Sequence, residues 1–117
     1  MRHNKKRLKF NRDKGHKDAM LRNLATSIIL YEKVKTTKTK AKAIAPVVDH
    51  LIQISKEENK MNAIRKINKI VLDKNASKKL MEELNKRYAE KNSGYTRVVD
   101  LGMRKGDAAP ISQIELI

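Results

Sequence analysis

The chain has 117 residues, of which 28 are Lys or Arg and 13 are Asp or Glu, so its formal net charge is +15. This length suits one domain, and a hydrophobic fraction of 39% predicts a modest core under a heavily charged surface. The absence of Cys excludes disulfide scaffolds, thiolate zinc sites and cysteine nucleophiles, and it favours a reducing compartment. No stretch approaches the roughly 18 apolar residues of a membrane span, so we expect a soluble cytoplasmic protein.

The positive charge is concentrated in the first third of the chain. Residues 1–42 carry 14 basic and three acidic side chains, a net charge of +11, whereas residues 43–117 carry 14 basic and ten acidic ones, a net charge of +4. Nucleic acid is the leading partner, because binding to a polyanion releases condensed counterions and relieves self-repulsion. Residues 1–16 offer only Leu8 and Phe10 as sizeable apolar groups after Met1. They predict a basic arm that is extended or disordered until it is bound.

A helix and a short strand are predicted after the arm. Apolar side chains recur at helical spacing in residues 17–31 and predict a first helix with one packed stripe. The stripe consists of Met20, Leu24, Ile28 and Tyr31. Residues 32–37 alternate β-branched residues with lysines, which predicts a brief edge strand before Thr37 caps the next helix.

The second helix is predicted over residues 38–56. Its buried stripe is formed by Ile44, Val48, Leu51, Ile52 and Ser55. Pro46 lies inside this pattern, where it removes one backbone donor and crowds the carbonyl of Lys42. We therefore expect the helix to be kinked or divided near Ala45.

Two more helices are predicted over residues 57–75 and 76–91, with Asn75 as a plausible N-cap between them. Their apolar faces are formed by Met61, Ile64, Ile67 and Val71, and by Leu80, Leu84 and Tyr88.

Two strands are predicted at the end of the chain. Residues 95–101 are rich in β-branched side chains and end at Gly102, and residues 111–117 alternate apolar and polar side chains after a glycine-containing loop. The sequence thus predicts an α+β fold in two layers, in the order helix, strand, three helices and two strands. Residues 17–117 form its single domain. A three-stranded sheet needs helices on one face to be stable.

Three groups of residues are candidates for nucleic-acid binding. The arm and first helix contribute Arg2, His3, Lys5, Lys6, Arg7, Lys9, Arg12, Lys14, His16, Lys17 and Arg22. The junction between the first strand and the second helix contributes Lys35, Thr36, Thr37, Lys38, Lys40 and Lys42. The last segment contributes Tyr95, Arg97, Arg104 and Lys105.

The junction has a specific reason to bind phosphate. Hydroxyls of Thr36 and Thr37, together with the free amides of the helix's first turn, are donors for a phosphate oxygen. His3 and His16 in the arm suit base stacking or phosphate contact, whereas His50 suits a half-exposed helix position. For the lysines and for the last segment, ordinary solvent-facing cations remain the alternative.

The sequence offers little for catalysis, cofactors or metals. None of its serines lies in a G-x-S-x-G elbow, and the glycine spacing matches neither a Walker loop nor a dinucleotide fingerprint. No pair of histidines has metal-ligand spacing with a carboxylate. We therefore expect no enzyme activity, no cofactor, no bound metal and no small-molecule substrate.

Functions other than nucleic-acid binding could also account for the positive charge. A purely solubilising tail is disfavoured because eight cations in residues 1–17 exceed what solubility requires. Membrane-surface binding is disfavoured because the arm has one aromatic residue and no wide apolar face. A DNA-binding architectural protein stays open on charge, although no helix-turn-helix or minor-groove wedge is recognisable. Binding to an acidic protein also remains an alternative.

Several motifs occur in an order that resembles the bacterial large-subunit ribosomal protein L17 family. They are Met1-Arg2-His3, Gly15 through Ser27, Val34-Lys35-Thr36-Thr37 with Lys40-Ala41-Lys42, Gly94-Tyr95-Thr96-Arg97, Arg104 through Pro110, and Ile114-Glu115-Leu116. The resemblance covers essentially the whole chain.

This resemblance implies a non-enzymatic constituent of the large ribosomal subunit. It implies binding to large-subunit ribosomal RNA near the polypeptide exit tunnel, beside other large-subunit proteins and without a homo-oligomer in the ribosome. It also implies the same order of helices and strands. Because Lys outnumbers Arg by 20 to eight, phosphate contacts are more readily carried over than bidentate base contacts.

Overall fold

A computed structural model describes residues 12–117. The chain forms α1 (Lys14–Tyr31), β1 (Lys33–Thr37), α2 (Lys38–Ser55), α3 (Lys60–Asn68) and α4 (Lys74–Lys79). A π-helical turn (Leu80–Leu84), α5 (Asn85–Arg87), β2 (Thr96–Met103) and β3 (Pro110–Leu116) follow. The α+β class and the predicted order of elements are confirmed. The first helix begins three residues earlier than predicted, so residues 14–16 belong to a helix and not to an extended arm.

The three strands form one antiparallel sheet in the order β1-β3-β2, with the last strand in the centre. Val34 and Val98 flank Ile114 in one row, and Ile114 is fully buried. Helices α1 and α2 pack on this face of the sheet. Helices therefore cover one face of the sheet, as a sheet of this size requires.

The central stripe of α2 was predicted correctly. Ile44, Val48, Leu51, Ile52 and Ser55 are all fully buried. Each aliphatic side chain of this kind contributes about 1.5–3 kcal/mol when it is removed from water. The stripe runs along both halves of the helix, so packing holds the halves together.

Helix α2 was expected to be kinked or divided near Ala45, and the division is wrong. The helix is assigned without a break from Lys38 to Ser55, and Pro46 lies exposed to solvent. The proline removes one backbone hydrogen bond, but its ring lies in solvent. The buried side chains of Ile44 and Val48 on either side maintain the helix.

Some predicted core positions are exposed. Tyr31 is 72% exposed, because α1 packs through Ala25, Ile28 and Ile29 and ends where Glu32 turns the chain at a φ of 64°. Met61 and Ile64 are 63% and 42% exposed, since α3 is only nine residues long and packs through Ala63 and Ile67. Helical spacing correctly placed Ile28, Ile67 and Val71 in the core, but it also assigned to these stripes neighbouring positions that the packing leaves exposed.

The helix predicted over residues 57–75 is shorter, Lys60–Asn68, and the helical segment that follows runs from Lys74 to Arg87 where residues 76–91 were predicted. Asp73, and not Asn75, is the N-cap of α4, since its side chain accepts a hydrogen bond from the Asn75 amide at 2.8 Å. Leu80, Leu84 and Tyr88 are buried as predicted. The π-helical turn between Lys79 and Asn85 contains the first two of these residues.

Candidate nucleic-acid interface

The junction between β1 and α2 exposes the start of a long helix. Thr37 is the N-cap of α2 as predicted, but its side chain makes no capping hydrogen bond, and the first turn contains no acidic residue. The first amides of a helix have no partner within the helix, and the helix dipole adds partial positive charge there. The junction therefore combines free donors with positive potential.

The pairing of the strands brings a distant loop to this junction. Ile111 of β3 pairs with Thr37 on one side and with Gly102 on the other. The three residues form one row across the sheet, so the loop that follows β2 starts beside the end of β1. The two basic regions predicted separately from the sequence thus become neighbours.

A basic cleft of about 310 Å³ lies where these elements meet. Its lining combines hydroxyl and cationic side chains with one aliphatic residue, and it contains no carboxylate. The lining residues are Lys35, Thr36, Thr37, Lys40, Arg104 and Ile111. A cleft with this lining is chemically suited to a phosphate backbone.

Arg104 is held in a defined orientation by its own loop. Its Nε and Nη2 donate to Asp107 Oδ1 and Oδ2 at 3.1 and 2.6 Å. The loop is closed by backbone hydrogen bonds from Arg104 to Ala109 and from Ala108 to Arg104, at 2.8 and 3.0 Å. Arg104, and secondarily the amide of Ala109, lowers the pKa of Asp107 to about 2. The pair therefore stays charged throughout the physiological range.

Lys38 is directed away from the cleft. Its Nζ lies 3.6 Å from a carboxylate oxygen of Asp100, whose other oxygen accepts a hydrogen bond from Ser112 at 3.0 Å. The ion pair connects the start of α2 to β2. Lys42 and Lys105 are exposed, and neither lines the cleft.

The outer face of the sheet carries a second group of charges. Glu115 pairs in register with Lys33 and with Arg97, and it accepts from Arg97 Nε at 2.9 Å and from Gln113 at 3.0 Å. The Glu115 side chain is only 8% exposed, and the hydrogen bond from Arg97 lowers its pKa. Arg97 is thus a largely exposed cation whose guanidinium is fixed by Glu115.

Tyr95 does not belong to a binding surface, contrary to its prediction. It is fully buried, and its hydroxyl donates to the Lys91 carbonyl at 2.9 Å and accepts from Lys56 Nζ at 2.7 Å. Its ring packs on Tyr88 with centroids 5.2 Å apart. Tyr95 is a core residue that anchors the entry to β2.

The remaining candidates lie away from the cleft lining or outside the described residues. Arg22 is half-buried and donates to the Ile70 carbonyl at 3.1 Å, so it connects α1 to the segment after α3. Arg12 precedes α1 and is half-buried, whereas Lys14, His16 and Lys17 lie in the first turns of α1. The candidates outside the described residues are Arg2, His3, Lys5, Lys6, Arg7 and Lys9.

Sequence reasoning missed the residues that complete the site. Asp107 follows Arg104 by three residues in a glycine-bounded loop, and this spacing of opposite charges was a usable signal. Ile111 and Glu115 gave no such signal, because their roles depend on strand register. Within residues 12–117 no cluster of His, Asp or Glu is arranged to hold a metal ion, and no helix is long and apolar enough to cross a membrane.

Comparison with known proteins gives a consistent answer. Residues 20–117 match the family model of ribosomal protein L17. Three relatives named large ribosomal subunit protein bL17, from Desulfosudis oleivorans, Solibacter usitatus and Syntrophus aciditrophicus, are 41%, 42% and 41% identical over all 117 residues. The chain spans 56%, 77% and 93% of their respective lengths. The chain therefore belongs to the ribosomal protein L17 family, as its motifs predicted.

Proposed function

We propose that this protein is a structural constituent of the large ribosomal subunit in the bacterial cytoplasm, where it binds and stabilises large-subunit ribosomal RNA near the polypeptide exit tunnel. Its family makes it a ribosomal protein and not an enzyme. Neighbouring large-subunit proteins are its expected protein partners, and we expect no homo-oligomer within the ribosome. In this role it supports translation.

The basic cleft carries the RNA part of the proposal. It places Lys35 and Lys40 beside Arg104, with two threonine hydroxyls and the start of α2 between them. No carboxylate lines it, and its net positive charge comes from Lys35 and Lys40, since Asp107 offsets the charge of Arg104 while keeping that guanidinium in place. These donors suit phosphate oxygens, which are present in the backbone of RNA whatever its base sequence. We therefore expect RNA shape and phosphate spacing to govern binding.

The basic segment of residues 1–16 is proposed to add to this interface as an arm. Residues 14–16 are the first turn of α1, so the arm joins the folded domain through a helix. We take the single domain that carries the cleft to be residues 17–117 together with the first turn of α1, which begins at Lys14. The arm's cations extend the phosphate contacts beyond the cleft.

Sedimentation of ribosomal subunits tests this proposal. A cell lysate is separated on a sucrose gradient after a high-salt wash, and the full chain is followed with an antibody. Migration with the large subunit is expected, because a component embedded in RNA is retained when loosely held proteins leave. Recovery at the top of the gradient, or with DNA, would contradict the proposal.

A further inference from the structure

Helix α3 has a wide apolar surface, of which only a part is buried in the core. Ala63 and Ile67 are fully buried against the domain, whereas Met61 and Ile64 point to solvent, 63% and 42% exposed. Met61 and Ile64 are three residues apart and lie on the same side of the helix. The fold leaves Met61 largely and Ile64 partly exposed.

The exposed face of α3 borders a groove that α4 and the π-helical turn complete. The groove has a volume of about 360 Å³, and Ile64 and Met81 supply its large apolar side chains. Ser77 Oγ donates to Asn68 Oδ1 at 2.8 Å and joins its two walls. The π-helical turn adds to this geometry, since Leu80 and Leu84 pack into the core while Met81 lines the groove.

The rim of the groove is positively charged. Lys74 and Lys78 lie one turn apart on α4, and neither forms an ion pair with another described residue. Glu82 is the one carboxylate in the described lining, so the net charge of the rim is positive. Long lysine side chains also cover apolar surface with their methylene groups while their ammonium groups stay in water.

The combination of an apolar floor with a cationic rim selects among partners. A nucleic-acid backbone offers phosphates for the lysines but no large apolar group to bury against Ile64 and Met81. A basic segment, including the chain's own residues 1–11, is repelled by the rim. An amphipathic segment with a large apolar side chain and flanking carboxylates satisfies both features.

We propose that the groove between α3 and α4 is a protein-docking site for an acidic amphipathic segment, which inserts a large apolar side chain between Ile64 and Met81 and places carboxylates against Lys74 and Lys78. This surface lies on other elements than the basic cleft and does not depend on RNA binding. Its partner is a protein, and the two sites can be occupied together.

Methyl NMR on the full chain tests the docking site directly. Protein labelled at Met and Ile methyl groups is titrated with a synthetic helical peptide of about 15 residues, rich in Glu, with Leu at every third or fourth position. Shifts of the Ile64, Met61 and Met81 methyls are expected. Two further peptides, with Lys in place of Glu or Ser in place of Leu, should bind about tenfold more weakly or worse. Equal binding of the three peptides, or no shift with any of them, would overturn the proposal.

Two variants and a control complete the test. Ile64→Lys and the pair Lys74→Glu with Lys78→Glu should each weaken binding of the acidic peptide about tenfold or more. Leu101→Lys is the control, because Leu101 is 47% exposed on β2 and lies outside the groove. Circular dichroism verifies that each variant is folded. If a short RNA duplex shifts the groove methyls and the acidic peptide does not, the partner is RNA and the proposal is wrong.

Discussion

Thr37 and Ile111 are paired across β1 and β3, and this pairing places the Arg104 loop beside the start of α2. Neither residue is charged, yet their register decides which cations share one cleft. A slip of one residue would turn the alternating side chains of β3 to the opposite faces and would separate Arg104 from Lys40. The central strand thus determines the geometry of the interface.

Two core leucines should contribute strongly to stability. Leu51 and Leu84 are fully buried, so Leu51→Ala and Leu84→Ala should each lower the free energy of unfolding by about 2–5 kcal/mol. Urea denaturation followed by circular dichroism measures this change. Met61→Ala is the matched control and should change stability little, because Met61 is exposed. A large loss for Met61→Ala would show that α3 packs differently.

Glu32 should make stability depend on pH in the acid range. Hydrogen bonds from Arg87, and next from Lys79 at 3.1 Å, hold the pKa of Glu32 below its ordinary value of 4.5. The folded state is therefore stabilised above this value, and the stabilisation is lost as the pH falls through the lowered pKa.

The variant Glu32→Gln isolates this contribution. At pH 7 it should be less stable than the natural chain by about 1 kcal/mol, since a partly exposed ion-pair network contributes modestly. The difference should shrink as the pH is lowered below the Glu32 pKa, and thermal melts across this range measure it. A difference that grows on acidification would contradict the assigned ion pairs.

The buried hydroxyl of Tyr95 should matter for folding and not for RNA. Tyr95→Phe removes the hydrogen bonds to Lys91 and Lys56 and should cost about 1 kcal/mol of stability. RNA affinity measured by filter binding should stay within about twofold of the affinity of the natural chain, which is a small change in binding free energy. A selective loss of RNA affinity with unchanged stability would show that Tyr95 belongs to the RNA interface.

The burial of a side chain was predictable from the sequence where it depends on the pattern of one helix. It was not predictable where it depends on contacts between distant segments. The buried stripe of α2 was predictable because Ile44, Val48 and Leu51 recur along a long helix that has one apolar face. Met61 was misplaced because the apolar surface of α3 is wider than its contact with the core, and packing on α2 decides which part is buried. Similarly, Tyr95 lies next to a cation-bearing strand, and its burial depends on Tyr88 and Lys56 from other elements.

The basic cleft, too, was predictable from the sequence only in part. The cations at the β1–α2 junction and those after β2 were each identified from composition and local motifs. Their meeting was not predictable, because it requires the register of β3 against both neighbours. Ile111 and Glu115 could not be assigned for this reason.

Removing residues 1–11 should separate binding from folding. These residues include five Lys or Arg side chains, and the deletion removes no residue of α1. The melting temperature should change by only a few degrees, about what 1 kcal/mol produces in a domain of this size, while affinity for large-subunit RNA falls and its salt dependence becomes shallower. Unfolding of the shortened chain would show that the segment contributes to the core. Undiminished binding and assembly would identify it as a solubilising tail.

The central claim is that the basic cleft holds ribosomal RNA, and affinity for a structured large-subunit RNA fragment across a salt series tests it most directly. The double variant Lys40→Ala with Arg104→Ala should bind about tenfold more weakly or worse, with the log–log salt slope shallower by about one or two phosphate contacts. The control Lys86→Ala with Arg65→Ala removes the same charges from exposed positions outside the cleft and should bind almost as tightly as the natural chain. Equal losses in the two double variants would mean that net charge alone drives binding and would contradict the assignment of the cleft.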